Sequence, residues 1–299
     1  MSDSQLHSHP EAQSEEKVGR EEKEEKRGEG TYALVSDEPE RARLDSQHER
    51  VKALFDGSLL PAGLQLQSGD RVLDAGTGTG NWALDVARSL PPSSGVSIDS
   101  MDITDRLFPA SPPPNVHFST GNILALPPSG TYTLVHQRFL TAAFSAADWR
   151  ACLARLYDAL KPGGWLRMEE MRAFIQPATL PHAGEFLAFG ALLEGVTGIN
   201  FRAVDNIEQW VREAGFADVQ VDVRRWPLGP GEEGKENREG VMQGWGAVRR
   251  AMSAAGNDLG MSDARWAQFM SDAAGDLEAH ESWLTVHAFT ARKPVAGDA

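Results

Sequence analysis

One cysteine, Cys152, stands alone in 299 residues. No disulfide can close within the chain, and such usage leans towards a reducing compartment. There is no run of about 18 apolar residues, so no membrane-spanning helix is expected. No apolar h-region follows the N-terminus either, so a secretory signal is not expected, and the reading is of a cytoplasmic or nuclear protein. Positive charge is also short: 29 Lys and Arg against 43 Asp and Glu leave a net charge of -14. A chain this acidic repels phosphate backbones unless its basic residues gather on one face. No cluster of Lys and Arg interleaved with aromatics is present, so nucleic acid is not expected as a partner. A small neutral or cationic molecule suits the charge better. No Cys/His grouping has ligand spacing, and His7-x-His9 lies in a polar tail, so no metal is expected.

What the chain does contain is enough residues, with ordinary apolar content, for one large α/β domain or two small ones. Residues 1–30 are polar and low in complexity, with Glu21-Glu22-Lys23-Glu24-Glu25-Lys26-Arg27 at their centre. They have no apolar face to bury, so disorder is expected, with a protein-partner segment as the functional alternative. The domain is expected over 31–299. It begins with a helical pattern through Leu44, His48, Val51, Leu54 and Phe55, capped by Ser36 or Asp37, with Pro39 in the first turn and Gly57 near the end.

The organising stretch is Arg71-Val72-Leu73-Asp74-Ala75-Gly76-Thr77-Gly78-Thr79-Gly80, an apolar strand running into a glycine-rich turn and then a helix. Glycine tolerates φ > 0 and has no Cβ to obstruct a ligand, so such a turn can cradle a cofactor. Two readings compete. Gly78-x-Gly80-x-x-Ala83 can be forced onto the dinucleotide pattern, but only by starting beyond the first tight-turn glycine, Gly76. The acid-x-Gly-x-Gly-x-Gly arrangement of Asp74, Gly76, Gly78 and Gly80 fits without shifting.

A helix over about 81–90 and a strand over 96–102 complete the first βαβ unit. An acid about 20 residues beyond the glycine loop, at the end of the second strand, is placed to accept bonds from ribose hydroxyls. Asp102 fits better than Asp99, which alternation puts on the other face. After a stiff proline-rich loop, a third strand over 115–118 leads to Asn122 and Ile123. The fourth strand, 131–135, runs into His136-Gln137-Arg138, which the crevice rule for open α/β sheets brings to the ligand. An amphipathic helix from Asp148, the stop Lys161-Pro162-Gly163-Gly164 and a strand over 165–170 follow. Helices are then expected around 184–193 and 205–215, a strand over 219–226, a helical insertion at about 229–281 carrying Met242 and Trp245, and a last strand over 283–291.

Together, Asp74-x-Gly76-x-Gly78-x-Gly80, Val135-His136-Gln137-Arg138, Asp148-Trp149 and Leu160-Lys161-Pro162-Gly163-Gly164-Trp165 resemble the class I S-adenosylmethionine-dependent methyltransferases of fungal secondary metabolism. That group includes regulator-like and tailoring members. Arg43-Leu44-Asp45 and Gln47-His48 are similar to the opening of those proteins. The resemblance implies a doubly wound, seven-stranded Rossmann-like sheet with an N-terminal helical lid and a helical insertion before the last strand. It implies S-adenosyl-L-methionine as cofactor, held by Asp74, Gly76, Thr77, Gly78, Gly80, Asp102, Ile103, Asn122, Ile123 and Gln137. Asn122 stands where the family commonly carries an acid, and its alternative reading is an Asn-stabilised turn.

Tyr32, His48 and Arg138 are expected at the acceptor. If the acceptor needs a base, His136 is the first candidate, then His182 and Glu170. Each also has a structural reading: a packed strand-end residue, a loop residue and a carboxylate accepting a structural bond. The expected activity is methyl transfer to an oxygen or nitrogen of a small molecule. A methyltransferase-like regulator that binds cofactor and a protein partner stands second, and a nicotinamide-dependent oxidoreductase third.

Overall fold

The computed structural model describes residues 38–254, 256 and 260–295. The charged segment 1–30, Tyr32 and the two expected caps Ser36 and Asp37 lie outside the described residues. Seven strands form one sheet in the order β3-β2-β1-β4-β5-β7-β6. They are β1 (Arg71–Ala75), β2 (Ser97–Asp102), β3 (Val116–Thr120), β4 (Tyr132–Arg138), β5 (Leu160–Gln176), β6 (Ala217–Pro227) and β7 (Trp283–Arg292). The pairs from β3 to β5 are parallel, and β7 runs antiparallel to both β5 and β6. Strand order reverses between β1 and β4, and the carboxyl ends of strands at such a switch point are where open α/β sheets bind ligands.

Parallel strands covered on both faces read as continuous apolar runs. Every residue of β4 before Arg138 is buried, and so is every residue of β1 after Arg71. The helices that cover them are α1 (Glu38–Leu54), α2 (Asn81–Ser89), α3 (Ala146–Ala159), α4 (Ala183–Thr197), α5 (Val204–Glu213), α6 (Glu232–Ala254) and α7 (Asp263–Ala279). α3 starts on a capping box: Ser145 Oγ accepts from the Asp148 amide at 3.2 Å while Asp148 Oδ2 accepts from the Ser145 amide at 2.9 Å. Such a cap stabilises a helix start by about 1 kcal/mol.

Two boundaries differ from the sequence reading, and both bear on the site. β4 continues three residues past Val135, because its parallel pairing with β1 and β5 continues as far as Arg138↔Glu169. His136, Gln137 and Arg138 are therefore strand residues and do not belong to a loop that follows the strand. β5 begins at Leu160, so Lys161-Pro162-Gly163-Gly164 lies inside it; Gly163 absorbs the irregularity at φ 75 and donates to the Lys293 carbonyl at 2.8 Å.

One core lies between the sheet and α3 and α5, centred on Trp149, Leu153 and Leu156. A second packs Val51 of α1 and Phe55 just beyond it against α4, α6 and α7, where Trp245 and Phe269 stack with centroids 5.8 Å apart. Met242 and Trp245 are half-buried against this second core. Among the described residues no helix is long and apolar enough to cross a membrane.

Candidate active site

The turn after β1 takes the conformation its glycines permit, with Gly76 at φ 76, Gly78 at φ 58 and Gly80 at φ 80. Both the Gly76 and Thr77 amides donate to the Met101 carbonyl, at 2.8 and 2.9 Å, which folds the turn over the end of β2. The loop is walled on several sides. A Cβ on Gly76 would meet Leu140 Cδ2 at 3.2 Å, one on Gly78 would lie 3.7 Å from Leu44 Cδ1 of α1, and one on Gly80 would overlap the Phe118 ring.

Asp102 closes the turn from the side. Its Oδ2 accepts from the Gly78 amide at 2.8 Å, and its Oδ1 has a long 3.5 Å contact from the Thr104 amide. Burial raises its carboxyl above the usual range, against the opposing pull of the Gly78, Thr104 and Ile103 amides. Beside it Ile103 keeps 42% exposure, an apolar side chain left open at a strand end. The Asp102 carbonyl also accepts from the Gly121 amide at 2.8 Å, which brings the Asn122 turn alongside. Asn122 Oδ1 caps that turn by accepting from the Leu124 amide at 2.9 Å, and Ile123 is buried beneath it. Asp99, on the opposite face, pairs with Arg71 at 2.5 Å and accepts from the Tyr132 hydroxyl at 3.0 Å.

Sheet register sets Asp74, His136 and Arg167 side by side on β1, β4 and β5. Asp74 Oδ1 meets His136 Nδ1 at 2.7 Å, and Asp74 Oδ2 accepts from the Thr77 hydroxyl at 2.5 Å. His136 Nε2 meets Glu169 Oε2 at 2.8 Å, and Glu169 Oε1 accepts from Arg167 Nε at 2.5 Å. Trp82 lies flat on the imidazole, centroids 3.8 Å apart and planes 3° from parallel. Burial would raise the Glu169 carboxyl, but Arg167, His136 and Arg138 carry it down to about 2. His136 itself is 0% exposed with both ring nitrogens engaged.

The opposite face of the sheet carries a second buried polar group, on β5. Glu170 accepts from the Leu140 amide at 2.9 Å, the Thr141 amide at 3.0 Å, the Thr141 hydroxyl at 2.7 Å and Gln137 Nε2. Its carboxyl is pushed up to about 7, burial outweighing those four donors. The clasp holds the exit of β4, where Phe139 sits at φ 55, a left-handed conformation that an aromatic residue adopts only under constraint. Gln137 Oε1 is buried with no donor among the described residues.

α1 crosses this end of the sheet. Asp45 Oδ1 accepts from Asn81 Nδ2 at 2.6 Å, and His48, 2% exposed, bridges α2 and β4. Arg138 Nη2 donates to His48 Nδ1 at 2.9 Å, so the ring proton is on Nε2, which lies 2.9 Å from Asp85 Oδ2. Burial, then Arg138, lowers the His48 pKa, consistent with a neutral ring. The ligand atoms of His48, Glu49 and Asp85 all lie within 4.8 Å of one another, but Asp85 is already paired with Lys52 and Arg88.

His182 is placed apart from these groups. It begins α4, its amide donates to Asp276 Oδ2 of α7 at 2.8 Å, and its ring lies 3.1 Å from the same carboxylate, which raises its pKa. Glu169, Arg167, Trp82 and Asp85 are missing from the sequence reading. The signal available for the first two is Arg167-x-Glu169, two charges on one face of a strand that also carries Leu166 and Met168.

The donor set fits S-adenosylmethionine. The turn holds left-handed glycines at 76, 78 and 80, where side chains would crowd its walls, Asp102 Oδ1 keeps acceptor capacity suited to hydroxyl donors, and Ile103 offers an apolar surface beside it. Residues 46–221 match the family described as the methyltransferase domain, and the chain belongs to that family. It is an S-adenosylmethionine-dependent methyltransferase. It is 30% identical over 220 residues to N-methyltransferase verN of Clonostachys rogersoniana, covering 69% of this chain and 72% of that one. It is 28% identical over 279 residues to N-methyltransferase sirN of Leptosphaeria maculans, covering 89% of this chain and 96% of that one. Among solved structures, mycolic acid cyclopropane synthase CmaA1, complexed with SAH and CTAB, shares the fold at a TM-score of 0.52 and 13% identity, over 84% of this chain and 85% of that one.

Proposed function

We propose that this enzyme methylates a nitrogen of a small molecule, with oxygen as the competing acceptor atom, in fungal secondary metabolism. The observation that carries the reading is the closure of the glycine turn by Asp102 at the β1/β4 crevice, in a chain of the methyltransferase domain family. Nitrogen is preferred because verN and sirN are both N-methyltransferases by name. When bound, the cofactor would supply a sulfonium-activated methyl to the acceptor lone pair, with S-adenosylhomocysteine as the leaving group and the surplus amine proton released to solvent.

The chain's own part is placement and exclusion of water. Asp102 and Ile103 receive the adenosine end, with Asn122 and Ile123 beside them. The loop from Asp74 through Gly76, Thr77, Gly78 and Gly80 receives the amino-acid end, with Gln137 at the crevice. α1 covers the loop through Leu44 and Asp45. None of the three base candidates faces an acceptor freely: His136 is enclosed, Glu170 is saturated by four donors, and His182 is bound to α7. An acceptor that arrives as an uncharged amine needs no base, which agrees with this arrangement. Arg138 and His48 act from beneath, holding α1.

The test is calorimetric titration with S-adenosylhomocysteine, followed by methyl transfer from labelled cofactor to a panel of secondary amines and phenols. Micromolar binding and turnover of amines above phenols supports the proposal. Turnover of phenols alone moves it to oxygen, and no binding removes the cofactor reading.

A further inference from the structure

The crevice holds two acids that hold the glycine loop from opposite sides. Asp102 holds the Gly78 amide from β2. Asp74 holds the Thr77 hydroxyl from β1, and its other oxygen is taken by His136. We propose that His136, braced by Glu169, is the positioning residue that sets the loop for the amino-acid end of the cofactor. It fixes Asp74, and Asp74 fixes Thr77. The proposal rests on the S-adenosylmethionine reading above and concerns how that ligand is divided between the two acids.

Three observations support the assignment. Asp74 is 2% exposed with both oxygens engaged, so it acts on a ligand through the loop rather than by touching it. His136 cannot swing, because Glu169 holds Nε2 at 2.8 Å, Trp82 stacks on the ring at 3.8 Å, and Arg167 holds Glu169 at 2.5 Å. Arg167 in turn donates to the Ser58 and Leu60 carbonyls at 3.1 and 3.3 Å, so the row is braced on the segment between α1 and β1. In a row fixed at every other point, the end left to be set is the loop. The division of the ligand follows from the sheet. The acid at the end of β2 reads ribose hydroxyls, so the rest of the cofactor extends from β1 towards β4, where Gly76 lies against Leu140.

The two ring nitrogens have different partners, which makes the proposal separable from packing. An Asn amide nitrogen overlays Nδ1 and keeps the Asp74 contact, whereas that of Gln overlays Nε2 and keeps the Glu169 contact. Both substitutions remove the stacking on Trp82. His136→Asn and His136→Gln are titrated with S-adenosylhomocysteine and with 5′-methylthioadenosine, which has the adenosine and lacks the amino acid. The expected result is that His136→Gln weakens S-adenosylhomocysteine by about tenfold or more while 5′-methylthioadenosine stays within about twofold, and His136→Asn restores most of the loss.

Equal losses in the two variants, or equal losses of the two ligands, overturn the proposal. Thr77→Val provides a second route that leaves the imidazole untouched; it is expected to show the same selective loss, and an unselective loss or none overturns the proposal. Wild-type protein that binds neither ligand overturns the cofactor reading and this inference with it.

Discussion

Arg138 Nη2 donates to His48 Nδ1 at 2.9 Å, and through that bond the end of β4 holds α1 across the glycine loop. His48 is the hinge of the arrangement, since its other nitrogen lies 2.9 Å from Asp85 of α2. A neutral imidazole that accepts from an arginine and donates to an aspartate satisfies both buried charges without adding one.

His48→Ala removes the bridge and leaves Arg138 and Asp85 without it. The expected cost is about 3 kcal/mol, a fall in Tm of roughly 6–12 °C by calorimetry. The cost depends on pH. The folded state holds His48 below its ordinary pKa of 6.5, so below pH 6.5 the unfolded chain takes up a proton that the folded chain does not. The stability His48 contributes is present above pH 6.5 and is lost as pH falls through the lower, folded value. The Tm gap between wild type and variant is therefore larger at pH 7.5 than at pH 5.5. A gap that is constant with pH argues against the neutral bridge.

Gly80→Ala is expected to damage both stability and cofactor binding. Gly80 is the N-cap of α2 at φ 80, and an added Cβ would overlap the Phe118 ring. Left-handed strain of roughly 1–2 kcal/mol adds to overpacking of roughly 1–3 kcal/mol. Gly57→Ala is the control. Its φ of 77 imposes similar strain, but nothing among the described residues lies within 4 Å of the added Cβ. Urea melts of the two variants should differ by the overpacking alone, and only Gly80→Ala should lose binding of S-adenosylhomocysteine.

The glycine turn was legible in the sequence because positive φ admits few residues, so its spacing carries geometry with it. The separation of Asp102 from Asp99 was legible because strand alternation is local. The role of His136 was not. The polar run His136-Gln137-Arg138 after Val135 hid the three further residues of β4, and only the register of β1, β4 and β5 reveals that Asp74, His136 and Arg167 share a row. Register is a long-range property of the sheet and leaves no mark in a local pattern. Glu169 and Glu170 are adjacent in sequence, yet one meets an imidazole and the other a loop on the opposite face. Alternation separates the two but does not name their partners. Phe139 at φ 55 runs against the preference of aromatic residues, and no sequence rule could have placed it there.

Glu170→Gln tests the clasp by its pH dependence. The folded state raises this carboxyl from 4.5 to about 7, so the folded chain holds the proton more tightly than the unfolded chain does. The contribution to stability is fully present below pH 4.5 and is lost as pH rises through about 7. Gln cannot titrate. The wild type should therefore lose ground to the variant steadily between pH 5 and pH 8 in thermal melts. Parallel curves over that range would show that Glu170 does not titrate there.

Asp102→Ala and Asp99→Ala separate a ligand-holding acid from a structural one. Asp102 combines the 2.8 Å bond from the Gly78 amide with an Oδ1 whose contact is long, so its loss removes both the closure of the turn and the acceptor for a hydroxyl. Hydrogen bonds to a charged group contribute about 1.5–3 kcal/mol, so the affinity for S-adenosylhomocysteine should fall about 10–100-fold. Asp99 faces Arg71 and Tyr132, whose hydroxyl is pushed up to about 12, by burial first and then by the Asp99 charge. Asp99→Ala should lower Tm and return the Tyr132 titration towards its usual range while leaving affinity within about twofold. Calorimetry on the pair decides the matter: if Asp99→Ala costs as much affinity as Asp102→Ala, the end of β2 is a structural support and not the ribose-binding edge of the crevice.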